Sequence, residues 1–185
     1  YYIKQLTNLN LACSGYRHLI IFDLIERKEI RRYSTFKRGI HLIDQIINGT
    51  LLTASYDSTI RSWNLNENNF SQSIDFHNYT YSDEDNVTHF EPYPVYMKVL
   101  DNSHLGAISL SDNSIRVINF SNFSVKAEIN YLSNISDCLE YLKENDILLS
   151  VSRDRSIRAW NLNNMELIKQ IKIDNIFTEP NKGSQ

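Results

Sequence analysis

Leu51 to Leu65 reads LLTASYDSTIRSWNL, and Ile147 to Leu162 reads ILLSVSRDRSIRAWNL. The two stretches superimpose on Asp57/Asp154, Ile60/Ile157 and Trp63/Trp160. A third copy runs from Leu105 to Phe120, LGAISLSDNSIRVINF, with Asp112, Ile115 and Ile118 at the same places. A degenerate fourth lies at Leu9 to Leu24, LNLACSGYRHLIIFDL, with Phe22 at the tryptophan position. Successive markers Phe22, Trp63, Ile118 and Trp160 are therefore spaced by 41, 55 and 42 residues. Self-similarity at a fixed period means one supersecondary unit repeated, each copy burying its apolar surface against its neighbours.

A period of about 40 to 45 residues matches one blade of a β-propeller, a four-stranded antiparallel sheet. Around each quoted segment, which supplies the second and third strands, further strands are expected. First strands fall at Tyr2 to Leu6, His41 to Ile46, Val95 to Leu100 and Cys138 to Leu142. Fourth strands fall at Ile30 to Phe36, Gln72 to His77, Lys126 to Leu132 and Leu167 to Ile173. Turns such as Ile47-Asn48-Gly49-Thr50 carry the Asn/Gly chemistry of hairpins. Inner strands read as apolar on both sides and outer ones as alternating, the gradient that radially stacked sheets require. The expected organisation is a propeller segment over 1–173, with repeats at 1–36, 37–77, 95–132 and 133–173, an insertion at 78–94 and a tail at 174–185.

Ser55 to Asn64 and Ser152 to Asn161 resemble the S-x-D-x-T-I-R-x-W-D stretch that closes repeats of the WD-repeat family. The resemblance implies an all-β WD-repeat β-propeller of four blades. The chain departs from the family pattern in two ways. The final aspartate is kept only as Asp23, and Asn64, Asn119 and Asn161 replace it elsewhere. The usual Gly-His pair is missing, with His89 the sole candidate for its histidine. Because family members usually close with around seven blades, four repeats imply a partial or open ring. Its end blades would be capped by the rest of a propeller or by a partner.

Asp57, Asp112 and Asp154 fall in the turn between second and third strands, where a short carboxylate accepts bonds from local N–H groups. Recurrence in every clear repeat makes that role structural rather than catalytic. Trp63 and Trp160 supply apolar area to the packing of one blade against the next.

In the family, the loops joining second to third strands share a docking face with the loops joining one blade to the next. The resemblance therefore puts Tyr56 and Arg153, just before the turn aspartates, on that face, with Gly15 and Ser111 less useful there. Tyrosine and arginine are the types that most often dominate interface energy. The insertion adds Tyr79 and Tyr81 ahead of the acidic run Asp83-Glu84-Asp85. The function implied is a scaffold that binds other proteins or peptides.

A second reading starts from Phe36-Lys37-Arg38-Gly39, downstream of Arg31-Arg32. It resembles the Phe-Arg-Arg-Gly motif of phosphoinositide-binding propellers and would give Lys37 and Arg38 to lipid phosphate. A third makes the propeller the regulatory or targeting module of a larger enzyme.

The remaining chemistry excludes more than it suggests. The 185 residues are 42% apolar and 22% charged, a globular composition, and the net charge of −3 gives no general attraction to nucleic acid. Five dispersed glycines cannot form a phosphate-cradling loop, the histidines lack zinc-site spacing, and no G-x-S-x-G elbow is present. No catalytic group, metal ion or cofactor is expected. Cys13 and Cys138, far apart within apolar runs, suit a reducing, intracellular setting such as the cytoplasm.

Overall fold

The computed structural model describes residues 2–7, 9–34, 36–46, 49–67, 69–76, 91–100, 104–130 and 132–173. They form four separate four-stranded antiparallel sheets, each built from strands consecutive in sequence. The first holds β1 (Ile3–Gln5), β2 (Asn10–Ser14), β3 (Leu19–Asp23) and β4 (Lys28–Tyr33). The second holds β5 (Ile40–Gln45), β6 (Leu51–Ser55), β7 (Thr59–Trp63) and β8 (Gln72–Asp75). The third holds β9 (Pro94–Leu100), β10 (Leu105–Leu110), β11 (Ile115–Asn119) and β12 (Ser124–Ile129). The fourth holds β13 (Ser136–Leu142), β14 (Ile147–Ser152), β15 (Ser156–Asn161) and β16 (Leu167–Lys172).

Local chemistry makes the hairpins. At the end of each third strand, the side-chain oxygen of Asp23, Asn64, Asn119 or Asn161 accepts the N–H two residues on, at 2.7, 3.1, 2.8 and 2.8 Å. Asparagine thus performs the turn-forming role of the family's aspartate, because the bond needs only a short side chain ending in an acceptor. These turns bring the outer strands in early. Strand β4 ends at Tyr33 and β12 at Ile129, each three residues before the expected end. Phe36 and Leu132 leave the ladder and are buried instead.

Among the described residues, three apolar cores hold the sheets together, and each lies between two sheets rather than within one. Leu6, Ala12, Leu19, Ile21, Tyr33 and Phe36 of the first repeat pack against Ile40, Ile43, Leu51 and Trp63 of the second. Leu52, Ile60 and Phe76 of the second meet Met97, Ile108, Leu110 and Ile118 of the third. Leu100, Ile115 and Ile129 of the third meet Leu139, Leu148 and Trp160 of the fourth. The most buried strands are therefore the second and third of the middle sheets: every residue of β6 and β7 is buried. First strands such as β13 are partly exposed, which corrects the expectation of inner strands apolar on both sides.

None of these cores joins the first sheet to the fourth. On the outer side of the first sheet, Leu11, Cys13, Ile20 and Phe22 are only half-buried. On the far side of the fourth, Val151 and Ile171 are exposed. Phe22 holds the tryptophan position but, among the described residues, belongs to none of these three cores. The arrangement is an open arc of four blades.

Candidate functional site

Beneath the face that carries the second-to-third-strand turns lies a repeated polar network. Asp57 accepts hydrogen bonds from Thr59 Oγ1 at 2.5 Å, the Lys37 N–H at 3.0 Å and Arg61 Nη2 at 3.1 Å. Asp112 accepts from Ser114 Oγ at 2.6 Å and Arg116 Nη2 at 3.3 Å. Asp154 accepts from Ser133 Oγ, Ser156 Oγ and Arg158 Nη2. The residue after each aspartate is left-handed, with φ of 63° at Ser58, 64° at Asn113 and 62° at Arg155, and this folds the turn back over the carboxylate.

The sequence motif is thus D-x-S/T-I-R, and its arginines were not singled out by sequence reasoning, although they recur in all three clear repeats. The Arg61 guanidinium lies 4.5 Å from the centre of the Phe36 ring, and that of Arg116 lies 5.5 Å from Phe76, so each arginine reaches the preceding repeat. Burial lowers the Arg61 pKa, while the charge of Asp57 and its hydrogen bond act against that shift. Burial also works to raise the pKa of Asp154, but bonds from Arg158, Ser133 and Ser156 prevail and hold it well below the usual carboxylate range. All three aspartates are thus turned onto buried arginines.

The tryptophans are satisfied inside the sheet. Trp63 Nε1 donates to Thr53 Oγ1 at 2.8 Å and Trp160 Nε1 to Ser150 Oγ at 2.9 Å. Where the third repeat replaces tryptophan by Ile118, Ile108 replaces the hydroxyl partner. Donor and acceptor disappear together, so neither is orphaned at this pair of positions.

Above this network, bulges aim selected side chains at the turns. The pairing of β5 with β6 skips His41, and that of β13 with β14 skips Asp137. His41 stacks on Tyr56 with ring centres 4.0 Å apart, and Tyr93 meets Tyr56 edge-on at 5.3 Å. The His41 Nε2 is hydrogen-bonded to the Pro94 carbonyl oxygen. Burial lowers the His41 pKa below its ordinary 6.5, opposed by the Pro94 and Gly39 carbonyls and by Asp57. At the corresponding place in the fourth repeat, Arg153 Nε lies 2.9 Å from both oxygens of Asp137. Both turn residues are exposed, and each is held by the bulged residue beside it.

Tyr56 also lines a cavity of about 560 Å³ between the first two repeats, with Tyr16, Arg17, Lys37, Arg38, Gly39 and His41. Its floor is fixed. Ser55 Oγ donates to the carbonyls of Arg38 and Gly39 at 3.3 and 3.2 Å, and the Tyr56 N–H donates to Gly39 at 3.0 Å. Gly39 is where the two turns close together: a Cβ there would stand 3.3 Å from the Tyr16 carbonyl oxygen and 3.8 Å from the Tyr56 ring. Lys37 and Arg38 are therefore brought beside Tyr56 in one concavity, whereas Arg153 stands two sheets away. Tyr16, Arg17 and His41 are lining residues that sequence reasoning missed. Reading the turn of the degenerate first repeat as carefully as the others would have drawn attention to Tyr16 and Arg17. Tyr79, Tyr81 and His89 lie outside the described residues, as do 77–90 as a whole and the tail. Among the described residues, no group of three or more His, Cys, Asp or Glu is placed to hold a metal ion, and no helix is long and apolar enough to cross a membrane.

No protein-family profile matches the chain. Over 132 residues it is 26% identical to the U3 small nucleolar RNA-associated protein 21 homolog of Schizosaccharomyces pombe, a match covering 71% of this chain and 13% of that relative. Its structure is similar to a chain of the Mitotic Checkpoint Complex, with a TM-score of 0.75 at 11% identity, covering 92% of this chain and 50% of that one. The chain thus spans a small part of its curated relative and half of its structural neighbour. The four sheets, the repeated aspartate turns and these similarities together identify an open, four-bladed arc with the fold of a WD-repeat β-propeller.

Proposed function

We propose that this chain is a non-catalytic platform for protein–protein interaction, acting inside the cell through the face that carries Tyr56 and Arg153. The observation that carries this reading is the exposed Tyr56 ring, clamped between His41 and Tyr93 on loops pinned by Ser55. A rigid aromatic side chain loses little entropy on binding, which is why such residues dominate interface energy. Arg153 adds a charged contact that must exchange Asp137 for a partner's carboxylate. The name of the fission-yeast relative points to particles containing U3 small nucleolar RNA as the place to seek partners.

The test is capture from source cells with wild-type full-length protein and a Tyr56→Ala/Arg153→Ala variant, scored for bound proteins and for U3 RNA. Loss of partners from the variant supports the reading; an unchanged set removes this face. Tyr79 and Tyr81 extend the proposal, and a Tyr79→Ala/Tyr81→Ala variant tests them in the same assay. We further propose that additional blades or a partner cover the half-buried outer side of the first sheet and the exposed one of the fourth.

The exposed side chains of Lys37 and Arg38, together in one loop, favour a second reading, recruitment to phosphoinositide membranes. It requires flotation with phosphoinositide vesicles that Arg38→Ala abolishes.

A further inference from the structure

We infer that the cavity between the first two repeats is a binding site for a phosphorylated serine or threonine within a peptide segment of a partner protein. The inference rests on the platform reading and gives it a ligand. Three cations, Arg17, Lys37 and Arg38, border one concavity, and all three are exposed. Among the described residues, none of them has a carboxylate within ion-pair distance. By contrast, other cations are engaged: Lys4 with Asp44, Arg32 with Glu29, Lys98 with Glu140, and Arg153 with Asp137. Arg38 Nη1 donates to the Tyr56 carbonyl oxygen at 3.5 Å and the Arg17 guanidinium lies 5.5 Å from the centre of the Tyr16 ring, so these like charges share a recess with neutral partners only and repel one another until an anion arrives. A phosphate, with close to two charges and three acceptor oxygens, matches three cationic donors better than a single carboxylate does.

The position is also specific to this blade junction. The loop that Ser55 ties down as Lys37-Arg38-Gly39 has its counterpart in Ser133-Asn134-Ile135, which Ser152 ties down in the same way, by bonds to the Asn134 and Ile135 carbonyls at 3.0 Å. That counterpart carries no charge, so the scaffold needs the tether but not the cations. With the backbone pinned, loop ordering adds little to the ordinary costs of association.

The surrounding groups favour a peptide. Tyr16 and Tyr56, 71% and 44% exposed, flank the cations, and the parts of their rings not covered by Arg17 and His41 suit side chains next to the phosphorylated residue. Aliphatic residues able to enter a bilayer stand elsewhere: Leu24 and Ile25 project from the turn after β3, at the other end of that strand from Tyr16. A nucleic-acid strand would need a track of cations, and the chain carries a net charge of −3.

The test uses the full chain on degenerate peptide arrays with a fixed central phosphoserine or phosphothreonine, alongside the unphosphorylated arrays. Vesicles of phosphatidylcholine with phosphatidylinositol 3-phosphate and a poly(U) strand run as parallel arms. Retention on the phosphorylated arrays is expected to exceed that on the others by about tenfold or more, to fall at least about tenfold in a Lys37→Gln/Arg38→Gln variant, and to weaken with salt. A Tyr16→Ala variant should keep the preference for phosphate and lose affinity. An unchanged thermal midpoint in each variant separates lost binding from lost folding. Equal retention on both arrays, retention indifferent to Lys37→Gln/Arg38→Gln, or binding to vesicles or poly(U) without the arrays each overturns the inference. If partners captured through Tyr56 persist after phosphatase treatment, the platform stands and the phosphopeptide site falls.

Discussion

Replacing Trp63 with phenylalanine isolates the rule by which the blades differ in their cores. Trp63 and Thr53 are both fully buried, and the indole N–H donates to the hydroxyl at 2.8 Å. Phenylalanine keeps a ring against Tyr33, whose centre lies 4.6 Å from that of Trp63, and against Phe36 at 5.4 Å. It loses the second ring and strands the Thr53 hydroxyl. The orphaned hydroxyl costs about 1–3 kcal/mol, on top of the packing loss. Thr53→Val alone strands the indole N–H at a similar cost. In the double variant neither polar group remains, as in the third repeat with Ile108 and Ile118, and only the packing loss persists. The two substitutions should therefore be coupled by the sum of the two orphaning costs, about 2–6 kcal/mol, well above the roughly 0.5 kcal/mol of independent sites. Urea denaturation of the wild type, both single variants and the double variant measures this directly. Additive costs would refute the argument and show that the two groups do not depend on each other.

Three other outcomes follow from the same geometry. Asp57→Asn should destabilise by about 1–3 kcal/mol in urea melts, since it removes one of the two carboxylates, with Asp75, that act on the Arg61 side chain, 9% exposed; Arg153→Ala, removing an exposed pair, should leave the urea midpoint nearly unchanged. Below pH 6.5 an unfolded chain takes up a proton at His41 that the folded chain resists, so this residue's share of stability is present above 6.5 and shrinks on acidification. A His41→Gln variant should accordingly lose less thermal stability than wild type between about pH 7 and pH 5.5, and parallel profiles would exclude this role. Gly106→Ala would set a methyl 2.7 Å from Phe120 Cζ in a ring that is 4% exposed, and should cost about 1–3 kcal/mol by calorimetry.

Some features lay half-visible in the sequence. Substitution of Asn64, Asn119 and Asn161 for aspartate read as a departure from the family pattern, yet the turns form because the amide oxygen accepts the same bond. Phe36 read as the end of a strand because its apolar character suits the alternation; in the fold it lies under the Arg61 guanidinium instead. The arginines of the D-x-S/T-I-R motif repeat as faithfully as the aspartates. Only the neighbouring sheet, which supplies an aromatic ring to Arg61 and Arg116, explains why they are buried.

The sequence by itself determined the repeating four-stranded unit, its turns and its inward-facing residues, because short-range hydrogen bonding and strand alternation tie those positions to particular residue types. What surrounds Tyr56 and Arg153 on the proposed docking face was decided by tertiary structure. His41 reaches Tyr56 only because a bulge takes it out of the ladder, and Asp137 reaches Arg153 by the same device. Tyr16 and Arg17 join Lys37 and Arg38 only because two sheets pack with their turns side by side. Exposed residues some 20 residues apart in sequence carry neither periodicity nor a local hydrogen bond to link them, so their meeting is written in the packing of the sheets.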